Sequence, residues 1–303
     1  MHTHNRSVYR WVGMLALAGW QTASAVDVSW YRQLGSATQI ASNASASLWM
    51  IGTDSNVHKW NGKHFVNQNY SAARIAVTTT DKLWMIDQYG LRNADPALYL
   101  SQQAQEVAVG PDNSAWIIGI DQRPGGYGVY QKPPGISGTF AYANFGAVRI
   151  AVDKTGSPWV VNESGDVYVY NVAARSWARK GTIKARSVHT GALSGSVWML
   201  GVTAIPGGFP IYQWNATKQD WEPYGTFGAV DMTETGGVPW IVQKGGNLYS
   251  KIDLTTMTIP TTVGSITWPT PTPQAQPPLP AIHSGKLLCS GTAYADCGNT
   301  RAD

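Results

Sequence analysis

The chain has 303 residues, room for one large domain with extensions, since all-β barrels and propellers commonly spend roughly 200 to 250 residues on a single unit. With 14 Trp, 14 Tyr and 32 Gly against 13% charged residues, the composition favours short strands, tight turns and aromatic packing over surface helices. The formal charge of +4 falls to +2 once Arg6 and Arg10 of the N-terminal leader are set aside, and no basic run carries interleaved aromatics, which argues against a nucleic-acid surface.

In chain order the first element is an export signal over 1–25. Arg6 and Arg10 supply its positive end, Trp11 to Trp20 is uncharged and largely apolar, and Ala23-Ser24-Ala25 offers small residues for cleavage. The apolar run is too short to cross a bilayer comfortably, and no other segment is long enough. The mature chain is therefore expected to be exported without a transmembrane segment, and to be secreted, periplasmic or held at a cell surface.

From residue 26 onward a unit built on tryptophan recurs. Six copies read Ser47-Leu48-Trp49-Met50-Ile51, Lys82-Leu83-Trp84-Met85-Ile86, Ser114-Ala115-Trp116-Ile117-Ile118, Ser157-Pro158-Trp159-Val160-Val161, Ser196-Val197-Trp198-Met199-Leu200 and Val238-Pro239-Trp240-Ile241-Val242. Spacings of 35, 32, 43, 39 and 42 residues suit a four-stranded unit. Nine or ten positions before each tryptophan stands Ile40, Ile75, Val107, Ile150, Val188 or Val230, marking an innermost strand. A turn such as Asp153-Lys154-Thr155-Gly156 leads to the tryptophan strand. Trp49, Trp84, Trp116, Trp159, Trp198 and Trp240 sit at one place in every unit, so they are read as packing between units rather than as sugar platforms.

A third strand is predicted at Val57-His58, Leu98-Tyr99, Val129-Tyr130, Val167-Tyr168, Ile211-Tyr212 and Leu248-Tyr249. The fourth carries an aromatic: Trp30, Phe65, Phe140, Trp177 or Trp221, with none evident in the second unit. Trp30 has this spacing but no unit in front of it. It fits a displaced outer strand that completes the last sheet and closes a ring; Ile259 to Trp268 is the competing closing segment. Closure covers both faces of every sheet, which a lone four-stranded sheet cannot do.

The run Arg149-Ile150-Ala151-Val152-Asp153-Lys154-Thr155-Gly156-Ser157-Pro158-Trp159-Val160-Val161-Asn162, followed by Gly165-Asp166-Val167-Tyr168, resembles a tectonin repeat. Six such units cover about 26–260. The family includes lectins of horseshoe crab, fish eggs, slime mould and fungi. The resemblance implies an all-β, six-bladed propeller over 26–268, made of four-stranded antiparallel blades and binding carbohydrate, often on microbial surfaces. Glycans or lipopolysaccharide are the expected partners, no cofactor is expected, and a protein-binding scaffold is the alternative.

Loop lengths point to a site. From core tryptophan to third strand the first, fourth and sixth units need eight residues, whereas the second, third and fifth need fourteen, thirteen and thirteen. Two of the long loops share a turn, Pro124-Gly125-Gly126-Tyr127 and Pro206-Gly207-Gly208-Phe209. Tyr127 and Phe209, with Gln122 and Arg123, are candidates for a ligand-binding surface, because a stiff turn presenting a ring costs little to order. Both rings folding back on their own hairpins is the competing reading.

Catalytic signatures are sparse. The Asp box of six-bladed sialidases is approached only by Asp153-Lys154-Thr155-Gly156-Ser157-Pro158-Trp159, with one residue too many between Asp and Gly, and no cluster of arginines for a carboxylate sugar is visible along the chain. Gly-x-Ser-x-Gly, His-Glu-x-x-His, a phosphate loop and Cys-x-x-Cys are absent. Carboxylates distant in sequence could still pair as in a glycosidase. His58 and His64 lack an evident third metal ligand and are read as solvated. Residues 269–280 form a Pro-rich linker. The tail 281–303 holds Cys289 and Cys297, either as one small disulfide loop or as the opening of a second module.

Overall fold

The structure is a computed structural model that describes residues 30–94, 97–134 and 139–251. The leader, the competing closing segment Ile259 to Trp268, the Pro-rich linker and both cysteines lie outside the described residues. No helix among the described residues is long and apolar enough to cross a membrane.

Strands follow one another as meanders. The first run is β1 (Tyr31–Ser42), β2 (Leu48–Gly52), β3 (Asn56–Trp60) and β4 (Phe65–Ser71). The second is β5 (Arg74–Val77), β6 (Leu83–Asp87), β7 (Gly90–Ala94) and β8 (Ala97–Tyr99). The third is β9 (Glu106–Val109), β10 (Ala115–Arg123), β11 (Gly126–Lys132) and β12 (Ala141–Ala147). Then come β13 (Arg149–Val152), β14 (Pro158–Val161), β15 (Val167–Asn171) and β16 (Ser176–Arg179), followed by β17 (Ala185–Thr190), β18 (Val197–Gly201), β19 (Phe209–Asn215) and β20 (Asp220–Ala229). The last are β21 (Asp231–Thr235), β22 (Val238–Val242) and β23 (Asn247–Ser250).

Hydrogen bonding joins the middle four runs into four-stranded antiparallel sheets. The ends combine into one seven-stranded sheet ordered β21-β22-β23-β1-β2-β3-β4. β1 carries this junction. Its start pairs with β23, from Tyr31 opposite Ser250 to Ser36 opposite Asn247, and its later half pairs with β2, from Ala37 opposite Gly52 to Ser42 opposite Leu48.

The innermost strands β1, β5, β9, β13, β17 and β21 each touch the next, and β21 touches β1. They surround a narrow tunnel of about 120 Å³. Every core tryptophan is buried, none more than 5% exposed. Each also packs on the following pair of strands: Trp49 against Ile75 and Met85, Trp84 against Val107 and Ile117, Trp116 against Ile150 and Val160. Trp159 meets Val188 and Met199, Trp198 meets Met232 and Ile241, and Trp240 returns to Ile40 and Met50. Truncating such a ring to Ala costs about 3–5 kcal/mol. In four runs the residue opposite it on the innermost strand is alanine, Ala41, Ala76, Ala108 or Ala151, which leaves room for one large indole between sheets.

Two expectations are corrected. In the second run the third strand is β7, not Leu98-Tyr99. Ile86 pairs with Leu91 after the two-residue turn Gln88-Tyr89, and Leu98-Tyr99 belongs to the outer strand β8. Trp84 is thus seven residues from its third strand, and the fourteen-residue loop does not exist. In the last run the hydrophobic residue of the innermost strand is Met232, which pairs with Ile241, while Val230 precedes the strand. The tight turn Gly236-Gly237, with φ of 57° and 82°, shortens that hairpin and slides the marker by two residues.

Candidate functional site

Antiparallel meanders place the hairpin after each core tryptophan at the same end of the molecule as the start of each innermost strand. At that end the tunnel widens into a mouth of about 260 Å³. Its wall is built from the residue just before each inner hydrophobic: Gln39, Arg74, Glu106, Arg149, Ser187 and Asp231, with Arg186 and His189 beside them. Strand alternation explains the ring, because the hydrophobic residue turns into the sheet stack and its neighbours turn toward the axis. One step further in, Ala41, Ala76, Ala108 and Ala151 narrow the tunnel.

The mouth overturns the expectation that arginines do not cluster. Arg74 Nε lies 2.9 Å and Arg149 Nη1 3.3 Å from the same oxygen, Oε1 of the buried Glu106. Each of these arginines also donates from Nη1 to the carbonyl of its preceding residue, Ala73 or Val148, at 2.7 Å. Burial pulls the Arg74 guanidinium down, but the Glu106 carboxylate more than offsets this and leaves it above its ordinary value. Arg186 is exposed and stacks on Phe209, with Cζ 4.6 Å from the ring centroid.

Asp231 Oδ2 accepts the Ile40 amide at 2.7 Å, and Oδ1 lies 3.7 Å from His189 Nδ1. Burial lifts the Asp231 carboxyl to about 7. Burial, with Arg149 adding, lowers His189 to about 3 and so keeps it neutral, and its Nε2 is 2.8 Å from Ser187 Oγ. Gln39 bridges neighbouring strands: its Oε1 accepts the Ile75 amide at 2.9 Å and its Nε2 donates to the Ile75 carbonyl at 3.1 Å.

Of the residues singled out by sequence, Gln122, Arg123 and Tyr127 come together in a separate rim cavity of about 410 Å³ with Val148 and Glu163. Phe209 is not there; it flanks the mouth beneath Arg186. Tyr127 and Phe209 are both half-buried and pack against the apolar clusters that lie between their own sheet and the next. Arg123 is held by Asp121 at 2.7 Å and lies over Tyr142, with Cζ 4.8 Å from that ring's centroid. The strongly exposed ring on this face is Tyr89, 75% exposed at the β6–β7 turn. His58 pairs loosely with Asp54 at 3.4 Å, and among the described residues no three His, Cys, Asp or Glu are placed to hold a metal.

The Pro-Gly-Gly turns have a structural cause. Pro124-Gly125 and Pro206-Gly207 close their hairpins with φ of 89° and 86° at the first glycine, a type II geometry. A Cβ on the second glycine would sit 2.7 Å from the Ala147 carbonyl oxygen at Gly126 and 2.4 Å from that of Ala229 at Gly208. Each turn then docks on the next sheet, Gly125 O accepting from Glu163 N at 2.9 Å and Gly207 O from Lys244 N at 2.8 Å. The matching sequence signal is Phe-Gly-Ala-Val, at Phe145 to Val148 and Phe227 to Val230, whose glycine follows the turn proline by 22 residues in both copies.

These features define a β-propeller whose open end is a charged mouth. Solved structures with this fold include a candidate gluconolactonase, 13% identical with a TM-score of 0.52, covering 73% of this chain and 91% of that one. The calcium-binding protein regucalcin of Agrobacterium tumefaciens is 12% identical with a TM-score of 0.50, covering 72% and 89%. Identities this low establish fold alone. No protein-family model and no curated protein matches the sequence.

Proposed function

We propose that the chain is an exported, tectonin-type propeller of six four-stranded blades that binds glycans or lipopolysaccharide without catalysis, using the mouth on the hairpin face. Dividing the seven-stranded sheet within β1 gives the first and last blades, with the start of β1 as the outer strand that closes the ring. The observation that carries the functional reading is the mouth's chemistry. Guanidinium, carboxylate, amide and hydroxyl groups from separate strands converge on about 260 Å³, a space suited to a sugar residue rather than a large apolar ligand. Such planar, bidentate groups match neighbouring hydroxyls on a sugar ring. The exposed Tyr89 offers an apolar surface to a longer ligand on the same face.

Three arginines with two carboxylates also favour a second reading, a hydrolase acting on acidic sugars. Glu106 is tied to two arginines, a commitment that suits binding, whereas Asp231, lifted to about 7, is the group that proton transfer would use. The purified chain should bind specific members of a glycan and lipopolysaccharide array and leave them intact. Turnover of any bound glycan would transfer the site to the hydrolase reading, and a folded chain that binds no member would remove the carbohydrate reading.

A further inference from the structure

The mouth holds more positive than negative charge, and its cations are already in place. Arg74, Arg149 and Arg186 face two carboxylates, leaving an excess of one positive charge even with both acids ionised. Glu106 is shared by Arg74 and Arg149 through a single oxygen, and His189 adds no charge. Among the described residues Arg186 has no carboxylate in ion-pairing range; its stacking on Phe209 fixes the guanidinium without neutralising it. The Nη1 bonds of Arg74 and Arg149 to their own preceding carbonyls fix those side chains too, so little rotamer freedom remains to be lost when a ligand arrives.

A half-enclosed polar cavity with surplus, pre-positioned guanidinium groups is complementary to a compact oxyanion. Resting on the carbohydrate reading, we propose that the ligand is an acidic glycan whose carboxylate or phosphate group enters the mouth and is held by Arg186 together with Arg74 and Arg149. Both groups offer oxygens at the spacing of a guanidinium edge. Arg186 is the residue through which the effect is best isolated, because it is exposed and its loss leaves the Glu106 clamp standing.

The test is calorimetry on the full chain with three ligands of similar size: a uronic-acid oligosaccharide, a phosphorylated oligosaccharide and a neutral one. Inorganic phosphate alone is the fourth titrant, and Arg186→Ala and Arg186→Lys are compared with the unaltered chain after thermal melts confirm folding. An acidic ligand should bind at least tenfold more tightly than the neutral one. Arg186→Ala should remove most of that preference, Arg186→Lys should keep part of it, and affinity should fall as salt rises. Preference for the phosphorylated or the carboxylated ligand would identify the source of the anion. Equal binding of neutral and acidic ligands, or an Arg186→Ala variant with unchanged preference, would overturn the inference while leaving the carbohydrate reading intact. Arg186-dependent binding of phosphate without binding of any glycan would keep the anion site and remove the carbohydrate reading. No binding by any titrant would end both.

Discussion

Asp231 and His189 lie side by side on adjacent inner strands of the mouth, with Arg74, Glu106, Arg149, Arg186 and Gln39 around them, and burial acts on the two in opposite senses. The folded-state value of Asp231, about 7, lies above its ordinary 3.8, so the native chain holds a proton there that the unfolded chain has released. Stability from this group is full below about pH 4 and is lost as pH rises through 7. His189, lowered from 6.5 to about 3, behaves conversely: its contribution is full above 6.5 and drains away as pH falls toward 3. Asp231→Asn keeps an acceptor for the Ile40 amide and removes the charge. Its melting temperature, relative to the unaltered chain, should therefore be several degrees higher at about pH 8 than at about pH 5. An equal difference at both pH values would refute the buried-carboxylate account. Gln39 makes a second case. Gln39→Ala strips the buried Ile75 peptide of two partners and should cost about 1–3 kcal/mol in urea unfolding.

At the scale of elements, the two Pro-Gly-Gly hairpins are locks between sheets. Gly208→Ala would push a Cβ to 2.4 Å from the Ala229 oxygen, at a φ of 146° that side chains rarely adopt. A loss of about 1–3 kcal/mol is expected, with Gly126→Ala behaving alike; unfolding free energies unchanged in both would show that the crossing is not tight. The turns were legible in sequence, but their purpose was not, because the strand they cross lies about twenty residues later and reveals itself only when Phe-Gly-Ala-Val is set beside it. Tryptophan spacing was a dependable guide since each hairpin fixes its own length. The third strand of the second run is hidden in the sequence for a chemical reason: opposite Met85 stands Arg92, where four other runs place Tyr opposite the equivalent residue, and the Leu-Tyr pair falls instead on the outer strand β8. The mouth was hidden because its wall takes one polar residue from each of six distant strands, and each looks like an ordinary solvated position until the inner strands are superimposed.

For the described residues as a whole, β1 joins segments more than 200 residues apart, as in the buried bond from Gln33 Nε2 to Ser250 Oγ at 3.0 Å (separation 217). Each sheet buries its faces only against neighbours, so opening this joint should weaken every interface in turn rather than one edge. Proline at Gln33 disrupts the β1–β23 ladder; proline at Ala178, in the outer strand β16, imposes a comparable local insult without touching closure. Gln33→Ala removes the side-chain bonds, to Ser250 Oγ and to the Tyr31 carbonyl among them, and leaves the backbone ladder able to form. If closure couples the sheets, Gln33→Pro should lower the melting temperature well beyond Ala178→Pro and Gln33→Ala and broaden the transition, with tryptophan fluorescence shifting before far-ultraviolet circular dichroism is lost. Equal losses from the two proline variants would mean that β1 and β23 merely lie side by side. The same experiment bears on the mouth, because Gln39 and Asp231 flank the joint and their spacing depends on it. Ligand affinity should fall in Gln33→Pro at temperatures where the protein is still folded, and stay unchanged in Ala178→Pro.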